Sequence, residues 1–306
     1  MNHINEMTKL KLNGTLLEEL DKQESLDDKQ LINIFRKMCE IRNFEKEVIK
    51  AYNNNRINTP VYLSIGQESI PATVSELFKP DYILTQHRGH STYLAFGGDK
   101  IKIIDELLGK DSGCCQGKGG SPPIQDDKIG MIGHHGLIGE NVPLAVGVGL
   151  GAPTKKVYCV FGDGAAEEDY VFTAISFAFT HQLPVLFICE DNNLSILTKK
   201  CDRRKWELSN ALKGIGMNSE NISDDPYEIS YYLEKFKDKL PAFLNINTCR
   251  HNWHVGVGVD GPPTQDRLNL TKEKLTKKGY SKEIEEIELK TKIEIEELWQ
   301  KRLQKQ

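Results

Sequence analysis

The sequence predicts an α/β protein with a parallel sheet covered by helices on both faces. Two short segments, VYCVF (157–161) and VLFIC (185–189), are continuously apolar, and segments with helical periodicity lie between and around them. Unbroken apolar strands that alternate with helices are typical of a parallel sheet buried on both sides. The chain has 306 residues, of which 39% are hydrophobic, so it is long enough to bury such a sheet.

The individual elements follow from the spacing of apolar residues. They recur at helical intervals from Asp28 to about Tyr52, and Asp27 or Asp28 is the expected N-cap. Further elements are predicted as strand 81–86, helix 99–109, a glycine-rich irregular stretch 110–136, helix 142–151, strand 157–161, helix 168–181, strand 185–189, helices near 203–213 and at 226–239, and strand 242–248. The sequence is therefore divided into an N-terminal arm (1–27), an α/β domain (28–275) and a C-terminal amphipathic helix (276–306).

Composition excludes several classes of protein. The net charge is −4, with no basic surplus of the kind that nucleic-acid binders carry. No apolar run approaches 18 residues, and the N-terminus has neither the apolar core of a signal peptide nor the basic bias of a transit peptide. The seven cysteines form no CxxC pair. We expect a reduced cytoplasmic protein without a zinc site that acts on a small molecule.

Two polar groups follow neighbouring predicted strands. Gly162-Asp163-Gly164 ends the first strand, and Asn192 follows the second. Ligands of open parallel sheets bind at the carboxyl ends of strands, beside helix N-termini. A carboxylate, an amide oxygen and a backbone carbonyl suit Mg²⁺, which takes further ligands from phosphates, and Ala165 leaves room for an anion. The pattern predicts a magnesium–diphosphate site.

GDG followed 29 residues later by an asparagine pair (163 to 192) resembles the thiamine-diphosphate motif. The flanking segments are similar to the alpha subunit of the decarboxylating component of two-subunit 2-oxo acid dehydrogenases, of the pyruvate, branched-chain and acetoin types. The likeness covers about residues 28–270 and includes IRNFE (41–45), SIGQES (64–69), HRGH (87–90), GKGGS (117–121), LIGENVPLAVGVGL (137–150), GDGAA (162–166), LPVLFICEDNN (183–193) and, more loosely, TCRHNWHVG (248–256).

The resemblance implies roles for individual residues. Asp163, Asn192 and the backbone carbonyl of Leu194 are expected to bind Mg²⁺, and Arg88 the diphosphate, with His87 where the family has tyrosine. The other residues expected to contact the cofactor are Gly136, Ile138, Gly162, Gly164, Ala165 and His254. Backbone groups of Gly136 and Ile138 are expected to meet the aminopyrimidine ring. His254 is also the candidate acid–base residue.

The resemblance also implies partners. In this family the glutamate that activates the aminopyrimidine belongs to a beta subunit, so a complex of two alpha and two beta chains is expected. A lipoyl acyltransferase is left open as a further partner. The expected reaction decarboxylates a 2-oxo acid, or cleaves an acyloin, and passes the acyl unit to an acceptor.

Two departures from the family pattern leave alternatives open. Pro122-Pro123 stands where relatives commonly carry a histidine, and His134 and His135 are either its replacements or exposed loop residues. Asp191 adds a negative charge beside the expected metal. The alternative functions are a carboligase that joins the enamine to an aldehyde or keto sugar, and a non-catalytic regulatory subunit of the same fold.

Overall fold

Six parallel strands form the central sheet. The computed structural model describes residues 25–259 and 261–304. Its strands are β1 (Tyr82–Leu84), β2 (Met131–Ile132), β3 (Val157–Gly162), β4 (Val185–Asp191), the two-stranded hairpin β5 (Leu194–Ser195) and β6 (Thr198–Lys199), β7 (Asn218–Ser223) and β8 (Ala242–Asn247). The sheet order is β2-β1-β3-β4-β8-β7, and each neighbouring pair is parallel. The predicted fold class is confirmed.

Helices cover both faces of this sheet. They are α1 (Asp28–Asn53), α2 (Ser69–Leu77), α3 (His90–Ala95), α4 (Lys100–Leu107), α5 (Asn141–Gly151), α6 (Asp169–Thr180), α7 (Lys200–Arg203), α8 (Leu208–Gly214), α9 (Pro226–Phe236), α10 (Arg267–Lys277) and α11 (Ser281–Gln304). None of the helices in the described ranges is long and apolar enough to span a membrane.

Alternate residues of each central strand enter different cores, because successive side chains of a strand point to opposite faces. On β3, Tyr158 and Val160 join the core formed with α1, α2, α4, α9 and α11. Val157, Cys159 and Phe161 join the second core, with α5, α6 and α8. This two-sided burial is the reason why the strand is apolar throughout.

The structure describes the two ends of the chain to different extents. Asp27 caps α1 in a capping box with Gln30, as the sequence suggests. Most of the predicted arm, residues 1–24, lies outside the described residues. The C-terminal helix α11 packs along α1, where Trp299 is fully buried with its ring centroid 5.6 Å from that of Phe44. The helix is therefore part of the main core and not a separate layer.

A carboxylate at the end of α4 organises the glycine-rich stretch. Glu106 accepts hydrogen bonds of 2.6–3.0 Å from the backbone N–H groups of Cys115, Gly117, Gly119 and Gly120. Its neighbour Asp105 accepts hydrogen bonds from Ser112 of the same stretch and from Arg302 of α11. The stretch also contains β2, which the sequence prediction missed.

Candidate active site

The carboxyl ends of β3 and β4 bring the two predicted metal ligands to one edge of the sheet. The strands pair in parallel with Gly162 opposite Glu190, so Asp163 and Asn192 both lie just beyond the ends of adjacent strands. A cavity of about 140 Å³ opens there. It is lined by Gln86, His87, Arg88, His134, Ile138, Gly139, Asn141, Phe161, Gly162, Asp163, Gly164, Ala165, Asn192, Leu194, Ser195, Ile196, Arg250 and His254.

All but one of the predicted site residues line this cavity. The exception is Gly136, which is exposed and lies outside the lining. Its φ is +98°, and Ile138, two residues later, does line the cavity. The contact of the Gly136 backbone with the aminopyrimidine ring stays a prediction.

Asp163 is a buried carboxylate held by a cation. Its side chain pairs with Arg203 on α7, and Arg204 donates to its backbone carbonyl at 2.9 Å. Both arginines also pair with Glu167. Burial, and then the negative charge of Asp191, raise the pKa of Asp163, while Arg203 opposes the shift. The site therefore presents a carboxylate that needs a positive counter-charge.

A chain of amide hydrogen bonds sets the orientation of Asn192. The Glu190 carboxylate accepts from Nε2 of Gln67 at 3.2 Å, so Oε1 of Gln67 is left to accept. This Gln67 oxygen accepts a hydrogen bond from Nδ2 of Asn192 at 3.1 Å. The Asn192 Oδ1 therefore faces the other way and accepts from the backbone N–H of Leu194 at 3.1 Å. The amide oxygen, rather than the amide nitrogen, is available to a cation.

The charge of Asp191 is compensated within the protein. Its carboxylate lies 2.5 Å from Nζ of Lys200 and accepts from Nδ2 of Asn245 at 3.0 Å. The Asp191 side chain is buried in contact with these two partners. The extra negative charge expected beside the metal is therefore largely neutralised by Lys200.

The cavity also holds buried positive charge. Arg88 is only 3% exposed and donates to the backbone carbonyls of Leu63 at 2.6 Å and His254 at 3.2 Å. Within the described ranges it forms no ion pair with a carboxylate. Burial and repulsion by Arg250 lower the pKa of Arg88 to about 10. A buried guanidinium that has no carboxylate partner attracts an anion such as a phosphate group.

Aromatic rings form one wall of the cavity. His87 and His254 lie 5.1 Å apart between ring centroids, and Tyr62 contacts both rings edge-on at 5.1 and 5.6 Å. Burial and the charge of Arg88 lower the pKa of both histidines, that of His254 to about 4. Both rings are therefore neutral at pH 7, and each can both donate and accept a hydrogen bond.

The two adjacent loop histidines have different environments. His134 is buried and lines the cavity, with its ring centroid 6.4 Å from that of His87. His135 is exposed. Pro122 and Pro123 do not line the cavity. Of the two candidates for the missing histidine, only His134 is in a position to contact a ligand.

Several residues of this site were missed at the sequence level. They are Gln67, Gln86, Arg203, Arg204 and Arg250. Gln67 and Arg250 lie within SIGQES and TCRHNWHVG, and the two other arginines lie in the basic run KKCDRRK (199–205) that follows the asparagine pair. This basic run follows the acidic segment GDGAAEED (162–169) in the chain. The pair of segments was the signal from which the two arginines could have been predicted, since clustered acids at a helix start need cations nearby.

Comparison with known proteins places these features in a family. The model of the "Dehydrogenase E1 component" family matches residues 36–223, more than half of the chain. The mitochondrial pyruvate dehydrogenase E1 component subunit alpha of Pisum sativum is 33% identical over 234 residues, which cover 74% of this chain and 59% of the relative. The alpha subunit of acetoin:2,6-dichlorophenolindophenol oxidoreductase of Bacillus subtilis is 29% identical over 275 residues, 84% of this chain and 81% of the relative.

Among solved structures, a transketolase from Campylobacter jejuni superposes with a TM-score of 0.52 at 16% identity, over 92% of this chain and 49% of that one. This likeness concerns the fold. The chain spans about three fifths of the length of the plant relatives that it matches. The matched segment contains most of α1, the HRGH segment, the GDG turn and the asparagine pair, and the predicted family is confirmed: the chain belongs to the dehydrogenase E1 component family.

Proposed function

We propose that this chain is the alpha subunit of a thiamine-diphosphate-dependent enzyme that decarboxylates a 2-oxo acid, or cleaves an acyloin, and passes the acyl unit to an acceptor. The observation that carries the proposal is the pairing of Asp163 and Asn192 at adjacent strand ends with Arg88 in the same cavity. Relatives named as pyruvate dehydrogenase and acetoin oxidoreductase alpha subunits support this class of reaction. The carboligase and regulatory alternatives have no comparable support.

The residues present fit a Mg²⁺–diphosphate group. Asp163 offers a carboxylate whose partner is at present the guanidinium of Arg203, a positive group that stands in for a cation. Asn192 has its amide oxygen oriented away from Gln67, and Leu194 offers a backbone carbonyl. These are the oxygen ligands that Mg²⁺ prefers. Arg88 would hold the diphosphate.

Thiamine diphosphate, when bound, supplies the carbanion that attacks a carbonyl carbon and the ring that takes up electrons as carbon dioxide leaves. The contribution of this chain is to bind, orient and exclude water. The cavity wall includes the apolar Phe161, Ile138 and Ile196. His254 is the candidate acid–base residue: its ring lines the cavity and would stabilise developing negative charge or pass a proton to an intermediate.

The partner is proposed to be a beta subunit. Among the described residues that line the cavity, Asp163 is the only carboxylic acid, and it is proposed as a metal ligand. The acid that activates the aminopyrimidine would then come from another chain. An apolar patch on α5 and α6, with Leu144, Leu150, Phe172 and Phe177 each 36–54% exposed, is of the kind that subunit interfaces cover. We propose a complex of two alpha and two beta chains, with a lipoyl acyltransferase as a candidate acceptor.

The test is co-expression of this chain with a beta subunit. Carbon dioxide release from a panel of 2-oxo acids, and product formation from acetoin, would be followed with an artificial electron acceptor. We expect turnover only with both chains present, and only with Mg²⁺ and thiamine diphosphate. Turnover by the isolated chain would contradict the two-subunit assignment. Asp163→Ala is expected to abolish cofactor binding in calorimetry with the fold intact, and unchanged affinity would contradict the metal site.

A further inference from the structure

One imidazole on the cavity wall has no role in the proposed cofactor site. His134 follows β2, and β2 pairs in parallel with β1. The two strands therefore lead to the same edge of the sheet, where His87 and Arg88 follow β1. His134 is 3% exposed and its ring lines the cavity. The position makes it a direct neighbour of whatever the cavity binds.

The hydrogen-bonding capacity of this ring is unused. Neither ring nitrogen of His134 forms a hydrogen bond with any residue in the described part of the chain. Buried polar groups are nearly always bonded, so both nitrogens of an exception that faces a cavity are available to bond a ligand or a water. His90 shows the usual case: it is equally buried, and its two nitrogens contact Glu45 at 3.1 Å and Ser121 at 2.8 Å.

Glu140, which precedes α5, sets the state of the ring. Its Oε1 lies 3.4 Å from Nδ1 of His134, within ion-pair distance, and is held in place by the backbone N–H of His135. A carboxylate only accepts hydrogen bonds, so it favours the tautomer with the proton on Nδ1. Nε2 then presents a lone pair to the cavity. Burial lowers the pKa of His134, although Glu140 opposes the shift, so the resting ring is neutral.

Resting on the proposed function, we propose that His134 is a catalytic proton acceptor for the substrate-derived oxygen and that Glu140 is its positioning residue. The oxygen that enters as a keto group carries hydrogen during the reaction and must lose it when the product carbonyl forms. In that step the O–H bond breaks and its proton moves to Nε2. The O–H electron pair would become the second bond of the carbonyl, and thiamine diphosphate, when bound, would be the leaving group that takes up the electron pair of the bond broken at that carbon. The proton then passes to solvent.

The variant His134→Asn and the matched control His135→Asn test this role in the complex with the beta subunit. His134→Asn is expected to lower kcat about a hundredfold, the lower end of general acid–base contributions, with cofactor affinity within twofold of wild type. His135→Asn is expected to leave both within twofold. An equal loss in the two variants, or a loss of cofactor affinity in His134→Asn alone, would overturn the proposal.

A second measurement does not depend on turnover. In complex labelled with ¹⁵N-histidine, Nε2 of His134 is expected to be unprotonated, and acetylphosphonate, a stable mimic of a 2-oxo acid, is expected to shift its signal. A protonated Nε2, or a signal that does not respond while calorimetry shows the mimic bound, would contradict the assignment. Failure of the wild-type complex to bind thiamine diphosphate would instead contradict the proposed function.

Glu140→Gln separates positioning from simple packing. The groups that face His134 are Glu140, His135 and His87, with Arg88, Asp163, Arg250 and His254 around the same cavity. Of these, Glu140 raises the pKa of His134. Its loss is expected to move the acidic limb of the pH–kcat profile to lower pH, and an unmoved limb would show that Glu140 has no such role.

Discussion

Replacing Arg203 with alanine should tighten Mg²⁺ binding, although it removes a residue of the site. The guanidinium of Arg203 forms an ion pair with the carboxylate of Asp163, and the two side chains are only 11% and 2% exposed. A metal ion must displace it before it can reach that carboxylate. A hydrogen bond between charged groups contributes about 1.5–3 kcal/mol. Removing this competition should therefore raise the Mg²⁺ affinity roughly ten- to a hundredfold.

The same substitution should destabilise the metal-free protein. It leaves the buried Asp163 without its principal partner, at a cost of about 3 kcal/mol. Calorimetric titration of Mg²⁺ at saturating thiamine diphosphate, and denaturant unfolding with and without both ligands, would measure the two effects. Lys205→Ala, an exposed neighbour, is the control. A Mg²⁺ affinity for Arg203→Ala that is equal to or weaker than that of the wild type would refute the reasoning.

Three further predictions use the same purified chain. Arg88→Ala should weaken thiamine diphosphate binding about ten- to a hundredfold, since one charge-assisted contact is lost, and a calorimetric change below twofold would mean that Arg88 does not bind the diphosphate. Trp299→Ala should lower the free energy of unfolding by about 3–5 kcal/mol because the ring is fully buried, whereas the exposed Leu289→Ala on the same helix should change it by less than about 0.5 kcal/mol; similar values for both would contradict the packing of α11. The pKa of Cys249 is lowered to about 7, chiefly by His251, so its alkylation rate should reach half its maximum near pH 7 and level off at higher pH. Alkylation followed by mass spectrometry should show the plateau at higher pH in His251→Ala. An unchanged profile would exclude the interaction between Cys249 and His251.

The sequence was sufficient where burial imposes a simple pattern. β3 and β4 lie at the centre of the sheet and contain the unbroken apolar runs 157–161 and 185–189, so their ends could be located, and with them Asp163 and Asn192. β7 was missed because it is an edge strand with the sequence NSENIS, of which only Ser219 and Ile222 are buried. α2 was missed because nearly all of its residues are buried, which removes the polar face that defines an amphipathic helix.

Site residues that depend on the path of a loop could not be predicted. Arg203 reaches Asp163 only because the β5–β6 hairpin turns the chain back, with positive φ at Asn193 and Ile196. Asparagine adopts a positive φ fairly often, but the β-branched Ile196 rarely does, and spacing along the chain does not reveal either conformation. The choice between His134 and His135 similarly depends on how the chain leaves β2, a strand of two residues that shows no periodicity.

The adjacent acids at the end of α4 connect parts of the molecule that are far apart in sequence. Asp105 is bound by Arg302 of α11, and Glu106 holds the glycine-rich stretch that leads to Ser121. Ser121 in turn accepts the backbone N–H of Tyr62, whose ring contacts two histidines of the cavity.

Substitutions on the outer turns of α11 can therefore alter ligand affinity without touching a ligand. We expect related chains that differ at Arg302 to differ in the support of the Tyr62 ring, which an inspection of their active-site residues would not reveal. Directed evolution of activity should accordingly sample α11 together with the cavity.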